Sequence, residues 1–166
     1  MQLTQFTDYA LRVMVYAAVE RKDRCRTADA AAAFGISRHH VVKVVNELQH
    51  LGYLETTRGR GGGFTLARAP EHLRVGEIVR RAEGTMAIVE CFDTAGNTCP
   101  LAGACGLQGA LGEALGAFLA VLDRYSLADL LAEPHWRSRV TSLPPIRRRS
   151  GPRSTAPRRR ARRARA

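Results

Sequence analysis

At 166 residues the chain has the length of a single domain, and 45% hydrophobic residues are enough for a core. Its net charge of +11 does not describe a uniformly basic fold: twelve arginines and no acid lie in 137–166, leaving 14 basic residues against 15 acidic ones elsewhere. No apolar run approaches the ~18 residues of a membrane span and no signal peptide is visible, so a cytoplasmic protein with reduced thiols is expected, on the nucleoid when bound to DNA.

Thr4 or Thr7 caps a first helix predicted to reach Arg21. Phe6, Ala10, Val13, Met14 and Ala17 recur at helical spacing and should face the core, while Asp8 and Arg12 pair one turn apart on another face. Residues 22–26 read as a charged connector in which Cys25 is an incidental exposed thiol.

Residues 27–34 form a short Ala-rich helix, Gly35 breaks it, and Ser37 caps a second helix reaching about Leu51. This is the helix-turn-helix pattern. Val41, Val44, Val45 and Leu48 make the buried stripe of the second helix, with His39, Lys43, Asn46 and His50 on the opposite stripe and Arg38 at its start. Such donors suit base edges and phosphates in a major groove, or simply a solvated face.

Residues 53–57 and 64–67 alternate like strands around Arg58-Gly59-Arg60-Gly61-Gly62-Gly63. Two strands with an Arg/Gly tip, directly after a helix-turn-helix, make a wing. The glycine run is not a dinucleotide fingerprint, because position 64 is Phe and a strand follows it. Helix-turn-helix and wing together point to DNA. The candidate contacts are Ser37, Arg38, His39, His40 and Lys43 on the helix and Arg58 and Arg60 on the wing.

A helix over 73–82, stopped by Gly84, leads through an extended stretch into Cys91. Three cysteines then follow with spacing C-x7-C-x5-C at Cys91, Cys99 and Cys105. Zinc sites usually bring a C-x2-C pair, and ferredoxin-type runs are tighter still. The residues alone leave four readings open: an iron–sulfur cluster with one ligand from elsewhere, zinc, redox thiols, or no site. After Cys105, Leu107, Leu111, Leu115, Phe118, Leu119 and Leu122 stripe a long helix, too apolar on one side for so small a body, and pairing with a second copy is the natural solution. A short turn or helix follows Ser126. The Arg-rich end is expected to be disordered, a solubility tail or a sequence-independent phosphate contact.

The expected fold class is mainly α with a small β-wing. A winged helix-turn-helix domain (1–85) precedes a cysteine loop (86–106), a dimerisation helix with a short turn (107–132) and a basic tail (133–166). No nucleophile–base arrangement, phosphate loop or cofactor fingerprint suggests an enzyme.

Five stretches in order resemble the winged-helix repressors that carry an iron–sulfur cluster, and among them the nitric-oxide-sensing NsrR group. They are Gln2-Leu3-Thr4-Gln5-Phe6-Thr7-Asp8-Tyr9-Ala10-Leu11-Arg12, the run from Gly35 to Val45, the Arg58–Gly63 wing tip, the three cysteines, and the run from Leu122 to Leu130. His39 stands where that group often carries Asn. The resemblance implies that Cys91, Cys99 and Cys105 ligate the cluster, 4Fe–4S in the first instance and 2Fe–2S in the second, with Asp8 of the opposite subunit as fourth ligand. It also implies a homodimer that represses from an inverted-repeat operator and is released when nitric oxide attacks the cluster. The regulated genes would be those of nitric-oxide detoxification. The related regulators of cluster assembly use a His just after the third Cys, and position 107 here is Leu. The alternative is a cluster regulator that senses redox state or iron supply.

Overall fold

The structure, a computed structural model, describes residues 2–19, 24–59, 61–93, 95–133, 135, 139 and 142. Helix α1 (Gln5–Val19) starts where Thr4 turns its hydroxyl to the backbone N–H of Thr7 at 3.2 Å. Thr4 is therefore the cap, and Thr7 is fully buried behind it. Ala10, Val13, Met14 and Ala17 face the core as their spacing predicts, and Phe6 packs at its edge. The expected end at Arg21 lies outside the described residues.

Helices α2 (Thr27–Phe34) and α3 (Arg38–His50) form the helix-turn-helix. Gly35 closes α2 at φ 65°, a left-handed conformation that a side chain would make costly. Ser37 caps α3 by accepting the His40 N–H at 3.3 Å. Gly52, at φ 75°, turns the chain out of α3, and the Tyr53 N–H returns to the Leu48 carbonyl at 2.9 Å.

Strands β1 (Leu54–Thr57) and β2 (Gly63–Leu66) pair antiparallel, Leu54 opposite Leu66 and Thr57 opposite Gly63. This hairpin is the wing. Cys25 corrects the expectation of an exposed thiol: it is 4% exposed, and its backbone exchanges two hydrogen bonds with Phe64, at 2.9 and 2.8 Å. A one-residue bridge puts the neutral side chain inward and its charged neighbours Arg24 and Arg26 outward, so charge on both sides hid a buried position. A side chain at Gly63 would place Cβ 2.3 Å from the Cys25 carbonyl oxygen. Gly63→Ala is therefore expected to lower stability by about 1–3 kcal/mol and to weaken DNA binding through a displaced wing. A thermal melt and a binding titration check both effects, and an unchanged melt would contradict the packing argument.

Helix α4 (Val75–Glu83) ends at Gly84. The long α5 (Gly106–Asp123) packs against it: Arg80 grips the Asp123 carboxylate with two hydrogen bonds, one of 2.6 Å. Those bonds hold the Asp123 carboxyl below its ordinary range. Backbone bonds from Val75 to Tyr125 (2.9 Å) and from Leu127 to Leu73 (3.0 Å) extend the junction. Helix α6 (Leu127–Ala132), capped reciprocally by Ser126 and Asp129, buries Leu127 and Leu131 in the core beside α1. The architecture is a winged helix-turn-helix with one long appended helix. No helix among the described residues is long and apolar enough to cross a membrane.

Candidate nucleic-acid interface and cysteine loop

Helix α3 buries one stripe and leaves Ser37, Arg38, His39, His40 and Lys43 exposed on and around the other. Arg58 is exposed at the wing tip, and Arg60 lies outside the described residues. Thr56 of β1 donates its hydroxyl to the Gln49 side chain at 2.6 Å, fixing the wing against α3. Neither partner carries a signal in the sequence that marks the contact.

A second contact ties α3 to the start of the chain. The Tyr9 ring lies 6.0 Å from that of His40, and the Arg12 guanidinium stands 5.9 Å over Tyr9. Arg12 in turn meets Asp8 at 2.7 Å, the helical pair expected from the spacing. Asp8, Tyr9 and Arg12 line an open cleft of about 580 Å³ whose other wall includes Phe34, Gly35 and Ile36 of the helix-turn-helix turn. Tyr9 was legible only as a neighbour of Asp8.

Cys91 sits in a single 3-10 turn (Glu90–Phe92), Cys99 in the middle of the loop, and Cys105 at the N-cap of α5. All three are half-buried. Glu90 accepts both the backbone N–H and the hydroxyl of Thr98 on one oxygen, at 2.6 Å each. Hydrogen bonding from that hydroxyl, then from the backbone, holds its carboxyl below the ordinary range. Asn97 accepts the Cys99 N–H at 3.0 Å. Gln108 accepts the Gly103 N–H at 3.1 Å and donates to the Cys91 carbonyl at 3.3 Å. Among the described residues no three His, Cys, Asp or Glu side chains converge as a ready metal site. The loop thus gathers three thiols into one segment.

None of the α5 residues is buried. Leu111, Leu115, Phe118, Leu119 and Leu122 are half-covered by their own subunit. A separate stripe, Leu107, Ala110, Ala114, Ala117 and Val121, is exposed at alternating spacings of three and four. Leu107 is 65% and Val121 42% exposed.

The family model Rrf2, described as iron-dependent transcriptional regulator, matches residues 3–133. The transcriptional regulator NsrR of Geobacillus kaustophilus is 51% identical over 134 residues, covering 80% of this chain and 91% of that protein. NsrR of Bacillus subtilis is 48% identical over 132 residues, covering 79% and 90%. The transcriptional repressor NsrR of Streptomyces coelicolor is 43% identical over 136 residues, covering 81% and 90%. Among solved structures, CymR, the global cysteine regulator of B. subtilis, superposes with TM-score 0.65 at 23% identity, covering 80% of this chain and 97% of that one. IscR of T. potens does so with TM-score 0.64 at 22% identity, covering 80% and 87%. These two likenesses show the fold. The matched length and the identities together establish that the chain belongs to the Rrf2 family of iron-dependent transcriptional regulators, and within it to the NsrR-type repressors.

Proposed function

We propose that this repressor acts in the cytoplasm as a homodimer on an inverted-repeat operator, and that an iron–sulfur cluster, 4Fe–4S before 2Fe–2S, sets its affinity and receives nitric oxide. Cys91, Cys99 and Cys105 would hold the cluster with Asp8 of the second subunit. The observation that carries the reading is the loop itself: three half-buried thiols in one braced segment that opens directly into an uncovered apolar helix. The donor set fits. Thiolates are the ligands that iron–sulfur clusters take, and with three on the loop one position is left for a donor from elsewhere. When bound, the cluster supplies iron that nitric oxide ligates strongly.

The chain's own residues give the signal a path. Asp8 is engaged by Arg12, Arg12 lies on Tyr9, and Tyr9 faces His40 at the start of the recognition helix. A change of partner at Asp8 therefore bears on the α3 N-terminus. Two recognition helices must sit about one DNA turn apart, ~34 Å, so small rotations at α5 alter the match to the operator. The coupling is reciprocal: if nitric oxide weakens operator binding, operator DNA opposes the reaction with nitric oxide by the same free energy. Ser37, Arg38, His39, His40, Lys43, Arg58 and Arg60 are the proposed DNA contacts.

The test is an absorbance spectrum of anaerobically purified protein before and after nitric oxide, with operator binding measured in parallel. A brown protein with iron and sulfide, bleached and released by nitric oxide, is expected, and the iron count per chain distinguishes the two cluster types. A colourless, zinc-loaded protein would end the cluster reading. Release by oxygen or a chelator without any response to nitric oxide would favour a sensor of redox state or iron supply. Asp8→Ala is expected to fold normally, with a less durable cluster and an altered nitric-oxide response. Unchanged spectra and response would remove Asp8 from the ligand set.

A further inference from the structure

Two braces hold the cysteine loop, and neither belongs to the proposed ligands. The first joins the start of the loop to its middle. Glu90, next to Cys91, takes the backbone N–H and hydroxyl of Thr98, next to Cys99, on the same oxygen at 2.6 Å. The second joins the start to the end. Gln108 lies in the first turn of α5, where its backbone N–H bonds to the Cys105 carbonyl at 3.1 Å. Its side chain reaches back to the Cys91 carbonyl at 3.3 Å and to the Gly103 N–H at 3.1 Å. Gly103 adopts φ 84°, so the chain turns there in a conformation that favours glycine. Each cysteine thus lies next to, or bonds directly to, a residue of one of the two braces.

We propose that the Glu90–Thr98 pair and Gln108 are positioning residues for the cluster: they hold the relative placement of Cys91, Cys99 and Cys105 while the loop is empty and slow its opening once it is loaded. This rests on the cluster reading above. The physical case is entropic and local. A loop with few regular hydrogen bonds has many conformations, and a metal group that selects one must offset the ordering cost. Bonds already made in the empty loop meet part of that cost in advance. Partners outside the ligand shell commonly change metal retention by about 10- to 100-fold when removed. A loop made only to connect α4 to α5 would need neither brace, since both helices are already locked together by Arg80 and Asp123 at the far end of α5.

The experiment compares Glu90→Ala and Gln108→Ala with the wild-type chain in two measurements. In the loaded protein, iron release to a chelator under anaerobic conditions is expected to quicken about tenfold in each variant. In the iron-free protein, a thiol reagent should label Cys91, Cys99 and Cys105 faster, while Cys25, buried beneath the wing, keeps its wild-type rate as an internal reference. The melting temperature should not move, because the braces lie outside the winged core. Glu90→Gln keeps an acceptor oxygen for Thr98 and should restore slow iron release. If Glu90→Gln fails as badly as Glu90→Ala, charge and not placement is at work and the proposal falls. It falls equally if both alanine variants release iron and label at wild-type rates. A wild-type protein that never takes up iron and sulfide would instead overturn the cluster reading, and the thiol-labelling measurement would still report whether the braces order the loop.

Discussion

Replacing Cys91, Cys99 or Cys105 with Ser is expected to abolish cluster-dependent operator binding, leaving the weak, sequence-independent attraction of a basic protein for DNA. Specific and non-specific binding commonly differ by about 10³-fold or more, and a loss of that order is expected for each variant. The reason is ligand chemistry. A serine hydroxyl stays protonated near neutral pH and is a hard, weak donor, whereas iron–sulfur clusters are held by thiolates. The fold should survive, because all three positions are half-buried on a loop outside the winged core. Cys25 provides the contrast. It sits buried under the wing beside Phe64, so Cys25→Ser replaces a buried sulfur with a smaller, more polar hydroxyl and should cost about 1–3 kcal/mol of stability. Iron content per folded chain should stay unchanged. Iron and sulfide analysis, thermal melts and operator titrations of the four variants separate the two behaviours. Iron loss in Cys25→Ser as complete as in Cys99→Ser would sink the assignment.

The helix-turn-helix was legible because its signals are local. Gly35, Ser37 and Gly52 mark their boundaries through the backbone geometry and the capping bond that each supplies, and the structure places the boundaries there. The Asp8–Arg12 pair was legible for the same reason, being one helical turn long. What escaped is what chain folding brings together from afar. Cys25 beside Phe64 needs the wing to be in place before its burial makes sense. Arg80 and Asp123 are 43 positions apart, and nothing in either neighbourhood names the other. Glu90 and Thr98 are closer, but an acid and a threonine in a polar loop look like solvated surface until their bonds are seen. The proposed ligand role of Asp8 rests on family resemblance, not on spacing. The Arg-rich end, read as a disordered tail, falls almost entirely outside the described residues.

The long helix carries a second candidate face beside the stripe that its periodicity picks out. Of the predicted stripe, Leu111, Leu115, Phe118, Leu119 and Leu122 are half-covered by their own subunit, while Leu107 is exposed. The uncovered stripe is Leu107, Ala110, Ala114, Ala117 and Val121, alternating three and four as two helices packed side by side require. Small residues there let backbones approach closely along ~21 Å of helix. Ala114, near the middle, is the position where a change matters most, since the proposed twofold interface would present every substitution twice. Ala114→Glu keeps a strong helix former, so the helix itself should persist. It places two unpaired carboxylates in the interface, a cost of about 3–5 kcal/mol or more for each uncompensated buried charge. The variant is expected to sediment as a monomer at micromolar concentration and to lose operator affinity by about 10³-fold or more, because one recognition helix reads only one half-site. If Asp8 of the partner subunit is a cluster ligand, the monomer should also lose iron faster than the wild-type dimer. A variant that remains dimeric with wild-type affinity would show that the exposed stripe is not the contact between subunits, and would return the question to the larger residues beside it.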